Sequence, residues 1–150
     1  AVAKRDVAVR CQGVLGNLVD IGQELGTVQF NEEGDPADVT HIKRDACQWA
    51  KDYARGKRRV SLNAALGVHV IAHEAIHLRG WTNEALTECY GLQHSSEVAQ
   101  ALGASKLQGD RLADFYYRMI YPDMPDEYRS EKCVKDGLWD LHKGTPEFPA

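Results

Sequence analysis

One segment of the chain, His73-Glu74-Ala75-Ile76-His77, has the pattern H-E-x-x-H. The stretch from Ala64 to Leu78 around it is otherwise almost wholly apolar, which predicts a helix buried on most of its sides. Residues four apart lie one turn apart on the same helix face, so the two imidazoles can bind one metal ion. Glu74 lies beside that ion, where it can take a proton from a metal-bound water. The spacing predicts a hydrolytic zinc site; the alternative is a pair of hydrogen-bonded core histidines.

His69 extends the histidine series by one further turn of the same helix. It lies ~12 Å from His77 along the helix axis, because each residue adds ~1.5 Å. His69 therefore cannot share one ion with both His73 and His77. We expect it to be a hydrogen-bonded neighbour in the core.

A catalytic zinc site needs a third protein ligand, with water in the fourth position. Gly80 allows the chain to reverse, and a new helix can then start beside the first. Glu84, in its first turn, would face the metal. Glu88, one turn later, would accept a hydrogen bond from the outer nitrogen of a ligand histidine. We predict Glu84 as the third ligand, and Glu88 in that place is the alternative.

The H-E-x-x-H motif followed by Asn83-Glu84-Ala85-Leu86-Thr87-Glu88 resembles the gluzincins, the thermolysin-like zinc metallopeptidases. In that family a second helix carries N-E-x-x-[ST]-[DE], whose first glutamate binds zinc and whose last acid supports a histidine. The resemblance covers only Ala72 to Glu88. It implies zinc bound by His73, His77 and Glu84, with Glu74 as the general base and Glu88 as the supporting acid.

Two departures from the family pattern concern the third ligand. Only six residues separate His77 from Glu84, far fewer than in typical gluzincins, which predicts a minimal zincin core with little room for a substrate pocket. Gly80 lies three residues after His77, as in the metzincins. The position of the metzincin third ligand is occupied here by Asn83, a poor zinc ligand.

The elements expected around this site are mainly helical. Two short strands are predicted over Asp6–Gln12 and Gly26–Phe30, and the segment Gly13–Glu24 between them is a hairpin connection or a weak helix. Caps and breakers predict four helices: Thr40–Arg55, Leu62–Leu78, Thr82 or Asn83 to Leu102, and Leu107–Tyr121. Beyond Pro125 we expect a loop with one short helical turn. The fold class is α+β, a single zincin-like domain over residues 1–150 with a small N-terminal sheet before the ligand-bearing helices.

Four cysteines, Cys11, Cys47, Cys89 and Cys133, are widely spaced and include no C-x-x-C pair. That spacing does not fit a structural zinc site, whereas two disulfides in an exported protein do fit. Four free thiols in a cytosolic protein are the alternative. Of the three possible connectivities, we predict Cys11–Cys47 and Cys89–Cys133, because each links segments that would be neighbours in a compact helical core.

Composition excludes several classes of protein. The net charge of −4 argues against a nucleic-acid partner, and Lys57-Arg58-Arg59 is expected to be a solvated edge rather than a docking patch. The longest apolar stretch is too short and too polar to span a membrane. The chain opens Ala-Val-Ala, which fits a processed mature form or a trimmed chain.

These observations predict a secreted, monomeric zinc hydrolase that acts on peptides or proteins. A zincin-fold metal-binding module without catalysis and a purely structural helical domain are the alternatives. An extended substrate could add a strand to the edge at Gly26–Phe30. The residues considered as donors to the oxyanion are His94, Tyr116, Tyr117, Tyr121 and Arg79.

Overall fold

The structure is a computed structural model, and it describes residues 2–13 and 25–149. The described residues form one three-stranded sheet and four α-helices. This is the predominantly helical α+β architecture that the sequence predicts. The connection over 14–24, for which a hairpin link and a weak helix were both open, lies outside the described residues.

The sheet consists of β1 (Ala8–Cys11), β2 (Gly26–Phe30) and β3 (Pro36–Ile42). β3 is central: it pairs in parallel with β1 and antiparallel with β2. β1 is shorter than the Asp6–Gln12 predicted for it, although the Gln12 amide still donates to the Ile42 carbonyl. Because β2 is an edge strand of the described sheet, one of its backbone edges faces away from β3.

The predicted helix start at Thr40 was wrong, because Thr40 lies inside the central strand β3. Its hydroxyl donates to the carbonyl of Thr27 on β2 at 2.9 Å instead of capping a helix. Thr40 and Ile42 are buried, whereas His41 between them is only partly buried, which is the alternation of a strand. The helix begins at Arg44. The pairing of β3 with a strand on each of its sides outweighs the weak helix-capping signal of Thr40.

The helices are α1 (Arg44–Arg55), α2 (Leu62–His77), α3 (Glu84–Ala101) and α4 (Lys106–Met119). The last three match the predicted helices within two residues at each end. Two short 3₁₀ turns follow at Tyr121–Asp123 and Asp126–Tyr128, of which the second is the short helical turn expected beyond Pro125. The second of these turns lies beside the candidate site.

Local signals determine where α2 begins and ends and where α3 begins. The Ser61 side chain caps α2 by accepting from the Ala64 amide. Gly80 has a φ of +92°, a left-handed conformation that lets the chain reverse after α2. Asn83 then caps α3 through its side-chain oxygen, which accepts from the Leu86 amide. Asn83 is thus committed to a helix terminus.

The α2–α3 pair packs backbone against backbone at His73, in the predicted metal site. A Cβ on Gly91 of α3 would lie 2.8 Å from the Cα of His73, so only glycine fits there. The main core surrounds this contact, with Ala72, Ile76, Leu92 and Leu112 fully buried.

Two disulfides pair the four cysteines as predicted from the sequence. Cys11–Cys47 ties β1 to α1, and Cys89–Cys133 ties α3 to the C-terminal segment. Cys89 and Cys133 are fully buried within the main core.

Candidate metal site

Helix α2 directs three histidines and one glutamate toward α3 and the sheet. His69, His73, Glu74 and His77 are all buried, with between 3% and 8% of their surface exposed. Burying this many ionisable groups is costly unless each is paired or binds a metal. Their partners are therefore what determines the chemistry of the site.

Three side chains meet at the end of α2, and we name them the outer cluster: His73, His77 and Glu84. The Nε2 atoms of His73 and His77 lie 3.0 Å apart. Glu84 Oε2 lies 3.2 Å from the first of these atoms and 3.3 Å from the second. These three atoms form a nearly regular triangle of the size that one metal ion can occupy. The sequence thus correctly anticipates which residues come together here.

A second group lies deeper, and we name it the inner cluster: His69, His73 and Glu88. Glu88 Oε2 is 2.9 Å from His69 Nε2 and 2.9 Å from His73 Nδ1. The Tyr116 hydroxyl donates to the other oxygen of Glu88 at 2.7 Å. This group also has the composition and spacing of a possible metal site. His69 is hydrogen-bonded inside the core, as its position predicts.

The hydrogen-bond partners fix where the histidine protons lie. His77 Nδ1 is 2.7 Å from the carbonyl oxygen of Trp81, which can only accept, so Nδ1 carries the hydrogen. His73 Nδ1 faces the carboxylate of Glu88 and must likewise donate. In their neutral forms both rings therefore direct an Nε2 lone pair at the same point as the Glu84 carboxylate. Two lone pairs and an anion repel one another unless a cation lies between them.

The pKa values reflect this requirement for positive charge. Burial alone would lower the pKa of His73, but its hydrogen bonds to Glu84 and Glu88 outweigh burial and raise it to about 10. Burial would raise the pKa of Glu84, yet its hydrogen bonds to the two histidines lower it to about 2. For Glu88, burial is likewise outweighed by His69 and His73, which hold its pKa well below the usual range. In the metal-free protein a proton supplies the cation that the outer cluster needs.

Glu74 lies on the sheet side of the outer cluster. Burial raises the pKa of its carboxyl, with the neighbouring histidines opposing that shift. Its Oε2 lies 3.4 Å from the Thr40 hydroxyl of β3. A Cβ on Gly26 of β2 would come within 2.7 Å of Glu74 Cγ and Oε1, so the bare backbone of Gly26 makes room for this side chain. Sequence reasoning did not single out Gly26 or Thr40 for this role.

A cleft of about 850 Å³ opens over the outer cluster. β2 forms one wall, and the segment from Met124 to Tyr128 contributes to the other. This is more room than the short His77–Glu84 gap predicts, because the second wall comes from residues far along the chain. Phe30 of β2 packs edge-on to His77, and the Tyr128 ring lies 6.0 Å from the His73 ring. Tyr128 had no sequence signal beyond being an aromatic residue in a proline-rich tail.

The residues considered as oxyanion donors have other positions. Tyr116 lines the cleft, but its hydroxyl hydrogen is directed to Glu88. The hydroxyls of Tyr117 and Tyr121 donate to the carbonyls of Cys133 and Ser130. The two remaining candidates, His94 and Arg79, do not line the cleft in the part of the chain that is described.

Comparison with known proteins gives no relative for this chain: no family model, curated protein or solved structure matches it. Within residues 2–13 and 25–149, no helix has both the length and the apolar character needed to cross a bilayer.

Proposed function

We propose that this protein is a zinc-dependent peptidase in which His73, His77 and Glu84 bind the metal. The observation that carries the proposal is the pair of Nε2 lone pairs directed at one carboxylate, each fixed by an acceptor on the opposite ring nitrogen. Histidines that only fill a core direct their ring nitrogens at complementary donors and acceptors. Here the complementary partner is a cation.

The spacing of the outer cluster fits zinc. Ligand atoms placed ~2.0–2.1 Å from a tetrahedral ion lie about 3.3 Å apart, and the three separations here are 3.0, 3.2 and 3.3 Å. Two imidazoles and one carboxylate form the donor set of catalytic zinc sites that keep a fourth position open. Glu84 lines the cleft, with 37% of its side chain exposed, so a metal held by these residues would be reached from the cleft.

The inner cluster is better suited to support this site than to bind an ion itself. All three of its residues are buried, and the Glu88 carboxylate already accepts from His69, His73 and Tyr116. A carboxylate on the outer nitrogen of a ligand histidine fixes the ring and increases its basicity. We therefore assign Glu88 to orienting His73.

Zinc, when bound, polarises a substrate carbonyl and lowers the pKa of water. Glu74 is placed to take the proton from that water, since it lies next to both ligand histidines without being part of the triangle. The close backbone of Gly26 limits where its carboxylate can lie. We assign the donor to the developing oxyanion to Tyr128, because it lines the cleft with its ring 6.0 Å from the His73 ring.

A peptide substrate fits the shape of the cleft. β2 lines one wall and pairs only with β3 among the described strands, so its other edge offers backbone donors and acceptors. An extended peptide can pair with such an edge as an additional strand. That pairing would carry its carbonyl groups past Glu74 and the outer cluster.

The test is hydrolysis of a mixed peptide library by the wild-type protein and by Glu74→Gln, with zinc content measured in both. We expect about one zinc per chain in each protein, and cleavage that is lost in the variant. Bound zinc without cleavage by the wild-type protein would indicate a metal-binding module. Absence of stoichiometric metal from protein never exposed to chelator would leave a structural helical domain.

We further propose that the protein is exported and acts as a monomer. The two disulfides support export, because such bonds persist in oxidising compartments. Mass spectrometry of unreduced protein from its native source should find no thiol that can be alkylated. Four alkylatable thiols would contradict the export proposal. Light scattering of the purified protein tests the monomer.

A further inference from the structure

A second cavity, of about 470 Å³, lies where the end of α1 meets the start of α2. We name it the α2 N-terminal cavity. Its lining includes Trp49, Tyr53, Arg59 and Asn63. The first residue of α2 lies about 16 Å along the helix axis from His73, so this cavity is separate from the metal site.

The cavity is lined by three consecutive cations, Lys57, Arg58 and Arg59. Among the described residues none of them forms an ion pair with a carboxylate. Arg58 donates to the carbonyls of Ala54 and Leu102, which leaves its positive charge uncompensated. Lys57 and Arg59 are exposed. The local excess of positive charge contrasts with the net charge of −4 of the whole chain.

One acidic residue, Asp52, also lines the cavity. Its Oδ1 accepts a hydrogen bond of 2.8 Å from Gln48 Nε2 on the outer surface of α1. One carboxylate against three cations leaves the lining positive. A metal cation is therefore excluded as the occupant, and an anion is favoured.

The N-terminus of the 16-residue helix α2 adds to this positive potential. Ser61 caps one amide, that of Ala64, and both of these residues line the cavity. The backbone amides of Leu62 and Asn63, in the first turn, have no acceptor within the helix. Free amides at a helix start are donors suited to an oxyanion.

An independent sign of a ligand is the Tyr53 hydroxyl. Tyr53 is only 4% exposed, and its hydroxyl has no hydrogen-bond partner in the described part of the chain. Burial raises the pKa of this phenol, with Arg58 opposing, so the group is a neutral donor at physiological pH. A buried donor without an acceptor is rare and unfavourable. Here it belongs to a side chain that lines a cavity of positive charge.

We propose that the α2 N-terminal cavity binds an oxyanion, a phosphate or sulfate group. The first-turn amides of α2, the guanidinium of Arg59 and the hydroxyl of Tyr53 would donate to its oxygens. The cavity is larger than one such group, and the Trp49 indole forms part of its lining. The same chemistry can therefore come from the free inorganic anion or from an ester that carries an aromatic or sugar ring.

The experiment is a phosphate titration followed by NMR at the amides of Leu62 and Asn63 and the indole of Trp49. The protein is first freed of metal with a chelator and then dialysed, so that phosphate on zinc contributes nothing. We expect saturable shifts at these three groups. Shifts that rise linearly, and equally with chloride at the same ionic strength, would overturn the proposal. Tighter binding of phenyl phosphate than of inorganic phosphate identifies an ester as the source; equal binding identifies the free anion.

Three variants make the test specific. Arg59→Ala should weaken phosphate binding about tenfold or more, as expected for loss of a charge-assisted hydrogen bond. Tyr53→Phe should also weaken it, while raising the melting temperature of the phosphate-free protein, because an unpaired buried hydroxyl is removed. Lys51→Ala, which removes an exposed cation of α1 outside the cavity, should leave binding unchanged. Unchanged phosphate affinity in both Arg59→Ala and Tyr53→Phe would contradict the assignment.

Discussion

The outer and inner clusters are built from the same residue types and share His73, yet they differ in how their nitrogens are satisfied. In the inner cluster each nitrogen that faces Glu88 can donate a hydrogen to it. In the outer cluster two acceptor nitrogens and an acceptor carboxylate face one another. The inner cluster is complete as a hydrogen-bond network, and the outer cluster is complete only with a cation.

Proximity alone does not identify a metal site. Both groups hold three possible ligand atoms close together. The positions of the hydrogens distinguish the cluster that needs a cation from the cluster that its own hydrogen bonds satisfy. The backbone carbonyl of Trp81 is decisive, because it fixes the hydrogen of His77 on the far side of the ring. The Gly80 turn that places Trp81 there is as much a part of the outer cluster as its three side chains.

Replacing Glu84 should reduce zinc affinity far more than replacing Glu88. Glu84→Ala leaves two histidines at the outer cluster, and zinc affinity should fall by several orders of magnitude. Glu88→Ala removes a support of His73, and affinity should fall roughly 10–100-fold. Competition with a chromophoric chelator measures both. If Glu88→Ala were the more damaging change, the inner cluster would be the metal site.

Replacing Gly26 should lower the rate of hydrolysis without loss of zinc. Gly26→Ala would place a methyl group 2.7 Å from Glu74 Cγ, so the Glu74 side chain, the proposed general base, must move. A displacement of this size is expected to lower the rate of peptide hydrolysis about 100-fold, while zinc content stays at that of the wild type. Gly13→Ala is the matched control, because its added Cβ meets no atom of the described residues within 4 Å. Full activity in Gly26→Ala would show that Glu74 is not held by the sheet.

A smaller effect is expected at His69, which belongs to the inner cluster alone. His69→Ala leaves Glu88 with His73 and Tyr116 as partners, so zinc should remain stoichiometric with an affinity about tenfold lower or less. The free energy of unfolding should drop by about 1–3 kcal/mol, because a buried hydrogen-bonded group is lost. Urea denaturation and zinc analysis of one preparation measure both. Loss of stoichiometric zinc would contradict a purely supporting role.

A further prediction concerns the pH dependence of the metal-free protein. The pKa of His73 is raised from 6.5 to about 10 in the fold, so its proton stabilises the fold fully below pH 6.5. That stabilisation is lost as the pH rises toward 10. The raised pKa of Glu74 acts in the same direction. The melting temperature without metal should therefore fall across this range, while the increase produced by zinc should grow. A melting temperature without metal that rises over this range would contradict the outer-cluster electrostatics.

The sequence predicted which side chains meet in the outer cluster better than it predicted the sheet. His73, His77 and Glu84 follow from helical spacing and from a turn that glycine permits, both of which act over a few residues. The central strand β3 was missed because its identity comes from pairing with β1 and β2, which local propensity does not report. Gly26 and Tyr128 were missed for the same reason, since each reaches the site only through the folded chain.

The central claim is that the metal lies in the outer cluster, and the most direct measurement is its location by anomalous scattering at the zinc absorption edge. Crystals of the zinc-loaded protein should give one strong peak at a point shared by His73 Nε2, His77 Nε2 and a Glu84 oxygen. Glu88 should remain hydrogen-bonded to His73 Nδ1, outside the coordination sphere. A peak between His69 Nε2, His73 Nδ1 and Glu88 would contradict the account and assign the metal to the inner cluster.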